Sequence, residues 1–212
     1  NDLSDLDHYP RTLDQDLELI RQLEADLVFV PSVKEMYPEE DTHIFDLDSL
    51  DKVMEGKHRE GHFKGVAQIV SKLFLLIRPQ RAYFGLKDFQ QLVIIRRLVE
   101  ILELNLTIVT CHIIREKDGL AMSSRNVYLS QSERRQALAR VRSLRKATAE
   151  VASGEKSAAK VLDSARDLLL AEPDLKVDYV KICSAATLEE VDVIDQDAVM
   201  LLAVSVGKTR LI

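Results

Sequence analysis

Apolar runs that alternate with amphipathic segments constrain the fold of this chain more than any other feature. The runs at 81–84 and 106–114 are rich in β-branched and aromatic residues, which predicts strands. Between them, after Asp88, leucine, isoleucine and valine recur at helical spacing. Parallel strands need a crossover, usually a helix, so this order predicts an α/β protein with a parallel sheet and helices on both faces. Similar reasoning predicts helices at 11–23 and 61–77 and strands at 27–30 and 43–47.

The pattern changes after Tyr128, where two helices precede two strands. We predict helices at 130–151 and 156–170, strands at 177–183 and 199–206, and a helical segment around Leu188. Ser130 is a candidate N-cap for the first of these helices. The change predicts two domains, with 1–126 in the parallel-sheet domain and 127–212 in a small α+β domain.

Size and composition indicate an ordinary soluble globular protein. Of the 212 residues, 46% are hydrophobic and 30% are charged. The net charge of −6 argues against a nucleic-acid-binding protein, which needs a basic surface. No apolar stretch has the length of a membrane span and no signal peptide is evident, so we expect a cytoplasmic protein without a membrane partner. Cys111 and Cys183 lie in apolar runs and are expected to be buried free thiols.

The first polar segment with chemical potential follows the strand at 81–84. Lys87 stands two residues after Gly85 and just before a helix, where unpaired N–H groups favour an anion. A solvated surface lysine is the alternative. Asp88 is most simply a helix N-cap, although it could contact a metal or a ribose. Gln91, one turn into the helix, could hydrogen-bond a ligand hydroxyl or carboxylate, or be solvated.

The second polar segment follows the turn at 117–119. Ser123, Ser124 and Arg125 offer two hydroxyls and a guanidinium fork, which suits phosphate oxygens. A capped helix start with a surface arginine is the alternative. His62 could be a general acid, but a structural histidine is the simpler interpretation. Residues 207–209 imitate the end of a phosphate-binding loop without its first glycine, so we predict a turn there.

Five segments together resemble one family. They are 9–12 (YPRT), 59–66 (REGHFKGV), 71–74 (SKLF), 84–91 (FGLKDFQQ) and 118–126 (DGLAMSSRN). In this order, and covering essentially the whole chain, they look like pantoate–β-alanine ligases. The resemblance implies a Rossmann-like nucleotide-binding sheet, with its N-terminal portion missing here, and a C-terminal lid.

The resemblance also implies the reaction and the site. The family joins pantoate and β-alanine to pantothenate through a pantoyl adenylate, with ATP and Mg²⁺, and its members are homodimers. Residues implied at ATP are Gly85, Leu86, Lys87, Asp88, Ile114, Met122, Ser123, Ser124 and Arg125. Lys87, Ser123, Ser124 and Arg125 are the implied catalytic groups, Gln91 the implied pantoate ligand and Asp88 the implied metal contact.

The chain also departs from the family pattern. Leu86 stands where many relatives have an acidic or polar residue, and Glu60 replaces a proline that is common there. The His-x-x-His motif and an upstream substrate-binding glutamine are not found, so we expect the sequence to be the C-terminal two thirds of such an enzyme and inactive alone. Another Rossmann-like nucleotidyltransferase, or a truncated nucleotide-binding domain without activity, are the alternatives.

Overall fold

The computed structural model describes residues 12–195 and 197–212. Residues 9–11 of the first family-like segment, including the predicted helix start at Arg11, lie outside the described residues. The first part of the chain contains helices α1 (Leu13–Gln22), α2 (Val33–Met36), α3 (Met54–His58), α4 (His62–Ile77) and α5 (Phe89–Ile101), and strands β1 (Arg81–Gly85) and β2 (Thr107–Cys111). A 3₁₀ turn, Leu86–Asp88, joins β1 to α5.

The second part begins with another 3₁₀ turn, Ser124–Tyr128. It continues with helices α6 (Gln131–Ala137), α7 (Ala139–Ala152) and α8 (Ala158–Leu170), and strands β3 (Leu175–Ser184), β4 (Ala198–Val206) and β5 (Thr209–Leu211). The three strands form an antiparallel sheet in the order β3-β4-β5. The predicted turn at Gly207 joins β4 to β5, with a positive φ of 56° at the glycine.

Strands β1 and β2 pair in parallel, as the alternation predicts. Arg81 lies opposite Thr107 and Gly85 lies opposite Cys111, with α5 as the crossover. Both strands therefore end at the same edge. The segment after Gly85 and the segment after Cys111 leave the sheet side by side, where ligands bind in open α/β sheets.

Two of the predicted strands are wrong. Residues 27–30 form no strand, and Leu27 and Phe29 are 83% and 47% exposed. Residues 43–47 are also irregular. Strands exist through their ladder bonds, and among the described residues neither segment has a strand beside it to pair with. The predicted strand at 106–114 is shorter for the same reason, because its pairing with β1 stops at Cys111.

The C-terminal helices differ from the prediction in two places. The expected single helix at 130–151 is divided at Leu138 into α6 and α7. Its N-cap is confirmed, since Ser130 and Glu133 form a reciprocal capping box. The segment around Leu188 is a turn rather than a helix, because the backbone of Leu188 has a φ of +60°, which a right-handed helix excludes.

The hydrophobic core extends across the predicted domain boundary. The cluster formed by α4 and α5 includes Leu92, Ile94 and Ile95, and Cys183 and Leu188 from the C-terminal part pack into it. Cys183 is therefore buried as expected, whereas Cys111 is exposed at the end of β2. No helix within the described residues is long and apolar enough to span a membrane. The division into domains at 126/127 stays a prediction.

Candidate active site

A cavity of about 260 Å³ opens where the parallel pair ends and the antiparallel sheet begins. One wall is the connection from β1 to α5, and another comes from α3, α4 and the segment between them. Residues after β2, the inner face of α7, and strands β3 and β4 complete it. The cavity is near the lower limit for small-molecule sites, and most of its surface is apolar, with a few charged groups.

The first polar segment lines this cavity. Leu86, Lys87, Asp88 and Gln91 all contribute to its wall. The Lys87 ammonium lies 3.5 Å from the Asp88 carboxylate, and the Lys87 side chain is 24% exposed. Asp88 occupies the N-cap position of α5, but its side chain makes no capping hydrogen bond. The expectation that Asp88 serves as a simple cap is therefore wrong, because its carboxylate faces Lys87 instead.

The second polar segment belongs to a short hairpin after β2. Arg115 pairs with Ala121 in an isolated bridge, and the Met122 N–H donates to the Ile114 carbonyl over 2.9 Å. Buried Asn126 closes the hairpin, since its Nδ2 donates to Glu116 Oε1 at 2.6 Å and to the Ala121 carbonyl at 3.0 Å. Asn126 therefore shapes the loop that carries the serines.

Arg134 of α6 supports the same hairpin from the outside. Its Nη2 donates to Glu116 Oε2 at 2.5 Å, and its Nε donates to Asp118 Oδ2 at 2.7 Å. The hydrogen bond from Asn126, followed by that from Arg134, holds the pKa of Glu116 below its usual value. Both carboxylates are therefore ionised partners of Arg134 at neutral pH, and they fix the hairpin against the C-terminal helices.

The remaining predicted site residues lie beside the cavity. Its wall includes Ile113, Arg115 and Ala121, but these predicted residues are not part of it: Gly85, Ile114, Met122, Ser123, Ser124 and Arg125. Ile114 and Met122 are 66% and 56% exposed on the hairpin surface. Leu86, Lys87, Asp88 and Gln91 of the first segment thus line the cavity together, whereas the predicted residues of the second segment lie along its border.

Gln90, next to predicted Gln91, has a structural position that the motif analysis missed. It is 5% exposed, and its Oε1 accepts from the Glu55 N–H at 3.0 Å. Its Nε2 donates to the Leu50 and Val53 carbonyls at 2.7 and 2.9 Å. Helical spacing could have predicted the burial of Gln90, because it precedes the buried Ile94 by four residues and so lies on the core-facing side of α5.

Glu55 is the centre of a charged network that sequence reasoning also missed. Arg210 of β5 donates Nη1 and Nη2 to the two Glu55 oxygens, each at 2.7 Å, and its Nε to Asp178 at 2.7 Å. The Tyr179 hydroxyl donates to Glu55 Oε1 at 3.0 Å. Burial acts to raise the pKa of Glu55, but the bonds and charge of Arg210 and the Tyr179 hydroxyl outweigh it, so the pKa lies below its usual value. The network connects α3 to the antiparallel sheet.

His62 is held as a neutral ring in the cavity wall. Burial, followed by the positive charge of Arg59, lowers the pKa of His62 to about 4. Arg59 Nη1 and His62 Nε2 are 2.9 Å apart, and since a guanidinium only donates, the ring nitrogen accepts. At neutral pH the His62 ring is therefore uncharged and lacks the imidazolium proton that a general acid would donate, which favours the structural interpretation over the general acid.

The charges around the cavity are mainly positive. Its wall contains four cationic side chains, Arg59, Lys87, Arg115 and Arg140, against the carboxylates of Glu55 and Asp88. Glu55 is engaged by Arg210, so the field in the cavity favours an oxyanion. Within the described part of the chain, no group of three or more histidine, cysteine or acidic side chains could hold a metal by itself.

A family model described as pantoate-beta-alanine ligase matches residues 1–212. A pantothenate synthetase from Acetivibrio thermocellus is 47% identical over 208 residues, covering 98% of this chain and 74% of the relative. One from Bacteroides fragilis is 48% identical over 214 residues, covering 100% and 75%. The chain therefore spans about three quarters of the length of these relatives.

Solved structures of proteins with the same names resemble the fold of this chain. The crystal structure of pantothenate synthetase from Thermus thermophilus superposes with a TM-score of 0.91 at 40% identity, covering 96% of this chain and 74% of that one. The pantoate-beta-alanine ligase from Francisella tularensis, complexed with beta-gamma ATP and beta-alanine, gives a TM-score of 0.69 at 26% identity, covering 99% and 72%.

Proposed function

Because the chain belongs to the pantoate-beta-alanine ligase family, we propose that the cavity beside Lys87 is where it joins pantoate to β-alanine at the expense of ATP. ATP-dependent formation of pantothenate is the activity of the family. The contribution of individual residues is the proposal. The observation that carries it is the position of Lys87, which lies in the cavity wall directly before the N-terminus of α5.

The chemistry requires a positive site at both steps. In the first step the pantoate carboxylate attacks the α-phosphate of ATP and pyrophosphate leaves, which yields pantoyl adenylate. In the second step the β-alanine amine attacks the acyl carbon and AMP leaves. Negative charge increases on the departing phosphates each time. Lys87 and the helix N-terminus behind it would stabilise that charge, an effect worth about 3–4 kcal/mol for a well-placed donor.

The cavity wall also suits pantoate, a small acid with two methyl groups and two hydroxyls. Phe63 and Leu144 offer apolar surface for the methyl groups. Gln91 presents an amide that can accept from a hydroxyl and donate to a carboxylate. We assign pantoate to Gln91, and the phosphates to Lys87 with Ser123, Ser124 and Arg125 on the bordering hairpin. Gly85, Leu86, Ile114 and Met122 would contact the rest of the nucleotide.

Asp88 is the proposed protein contact for Mg²⁺. Mg²⁺ in nucleotide sites is held by one or two carboxylates together with phosphates and water, so a single carboxylate next to a phosphate-binding lysine fits. Asp88 is 47% exposed, and its cavity neighbour Glu55 is already bound to Arg210. When bound, Mg²⁺ would neutralise phosphate charge during adenylation. A homodimer in the cytoplasm is part of the same proposal and rests on family membership.

Replacing Lys87 tests the assignment. In the full-length protein, Lys87→Met should lower kcat for pantoate-dependent pyrophosphate release by about 100-fold or more, because a fixed cation at the phosphates is lost. Lys208→Met, in the exposed turn between β4 and β5, is the matched control. If Lys87→Met keeps a rate within about threefold of the parent, the cavity is not the adenylation site.

A further inference from the structure

Arg140 is a buried charge in the cavity wall that belongs to neither polar motif. It lies in the first turn of α7, is 8% exposed and contributes to the cavity wall. Its Nε is buried without a hydrogen-bond partner, one of two such side-chain atoms in the described part of the chain. Arg97, which carries the other, is a partly exposed side chain paired with Asp48 and Glu100. A buried guanidinium left without a carboxylate is unfavourable unless something else binds it.

The surroundings of Arg140 increase the free-energy cost of burying its charge. The charged group that acts on it most is Arg115, another cation, and the other contribution comes from the Tyr179 hydroxyl. Burial, followed by repulsion from Arg115, lowers the pKa of Arg140 to about 10, so the guanidinium keeps its charge at neutral pH. Arg115 uses Nη1 to donate to the Gly119 carbonyl at 3.1 Å. Two arginines therefore share one side of the cavity, and no carboxylate among the described residues pairs with Arg140.

Glu55 is a second buried charge in the wall of the same cavity, but its hydrogen-bond partners belong to the protein. Both of its oxygens accept from Arg210, and one also accepts from Tyr179. Arg140 has no such arrangement within the described residues, although it is buried to a similar extent. The difference indicates that the described residues leave the Arg140 guanidinium available to a ligand in the cavity.

We propose that Arg140, supported by Arg115, binds an oxyanion of the substrate in the cavity, either a carboxylate or a phosphate group. A guanidinium recognises both by the same paired N–H donors, and these bonds are stronger in a site shielded from water. The inference rests on the proposed function, since it assumes that the substrates enter this cavity. It adds a ligand-binding arginine on α7, outside the two polar motifs.

The test uses calorimetry on the full-length protein to compare the binding of three ligands that each carry a carboxylate or phosphate group. They are ATP, pantoate and β-alanine, each alone, and β-alanine also with ATP present. Arg140→Met should weaken binding of the ligand whose oxyanion it holds by about tenfold or more. The affected ligand identifies the group, a phosphate for ATP and a carboxylate for the other two. Arg145→Met, an exposed arginine on the same helix, should bind all of them like the parent.

Thermal unfolding separates binding from a structural role. Arg140→Met should unfold at the same temperature as the parent or higher, since an apolar side chain replaces an unpaired buried charge. Arg140→Lys should recover part of the affinity. If the parent binds the ligands and Arg140→Met binds them equally well, the inference is overturned. If the parent binds none of them, the proposed function itself fails. Should Arg140→Met not fold, Arg140→Gln is judged by the same two outcomes.

Discussion

Glu55 and Arg140 line the same cavity, and both are buried charges, yet their surroundings are opposite. Glu55 is held by two bonds from Arg210 and one from Tyr179, at 2.7–3.0 Å. Arg140 has another arginine as its main electrostatic neighbour. Since removing a charge from water is costly, a protein retains it where a partner compensates. The comparison distinguishes a charge that holds the scaffold together from one that we assign to a ligand.

The largest expected effect on stability comes from removing the charge of Glu55, the buried group that has partners. Glu55→Gln removes the charge that faces Arg210 and should lower the free energy of unfolding by about 3 kcal/mol, because it leaves a guanidinium without its principal partner. Denaturant unfolding measures this. Asp163→Asn, in the exposed pair with Arg166, should change it by less than about 0.5 kcal/mol. Equal stabilities of the two variants would show that the Glu55 network does not hold the scaffold.

Adjacent glutamines extend the comparison from charges to amides. Gln90→Ala should lower the free energy of unfolding by about 2 kcal/mol, because three backbone groups, two of them in buried hydrogen bonds, lose their partner. Gln91→Ala should leave the stability nearly unchanged and raise the KM for pantoate instead. Unfolding curves and steady-state kinetics on both variants separate the two roles. Similar effects of both substitutions on stability would contradict the assignment of Gln91 to substrate.

The smallest expected effect concerns His62, a neutral group between the charged ones. Its pKa falls from 6.5 to about 4 on folding, so below pH 6.5 the unfolded chain binds the proton more tightly. Stability should therefore decrease as the pH drops from 6.5 towards 4, by about 1 kcal/mol for a half-buried ring screened by solvent. His62→Gln should remove this decrease, while His112→Gln, at an exposed position, should keep it. An unchanged pH profile in His62→Gln would contradict the neutral, buried ring.

Local patterns predicted what depends on neighbours in sequence. The parallel pair of β1 and β2 with its crossover helix follows from alternation, and the capping box at Ser130 follows from spacing. The segment from Leu86 to Gln91 reaches the cavity because a strand end and a helix start leave little freedom to the loop between them. The predictions at 27–30 and around Leu188 were wrong because a strand requires a partner and a turn depends on one residue's backbone angle.

Contacts distant in sequence could not be found in this way. Glu55 and Arg210 are separated by 155 residues, and nothing near either one marks it as a partner of the other. Arg140 lies in a helix rich in basic residues, where its burial has no sequence signature beyond its position one turn before Leu144.

The sequence by itself determined the α/β class, the family resemblance and the two polar motifs, because these depend on periodicity and on residues close along the chain. Only the tertiary structure decided which charges meet. Folding brings α3, α7 and the antiparallel sheet around the edge of the parallel pair. That packing places Arg210 against the Glu55 carboxylate, whereas Arg140 finds no such partner among the described residues. The reason is physical: the energy of a charge depends on what surrounds it in space, and its surroundings come from elements far apart in sequence.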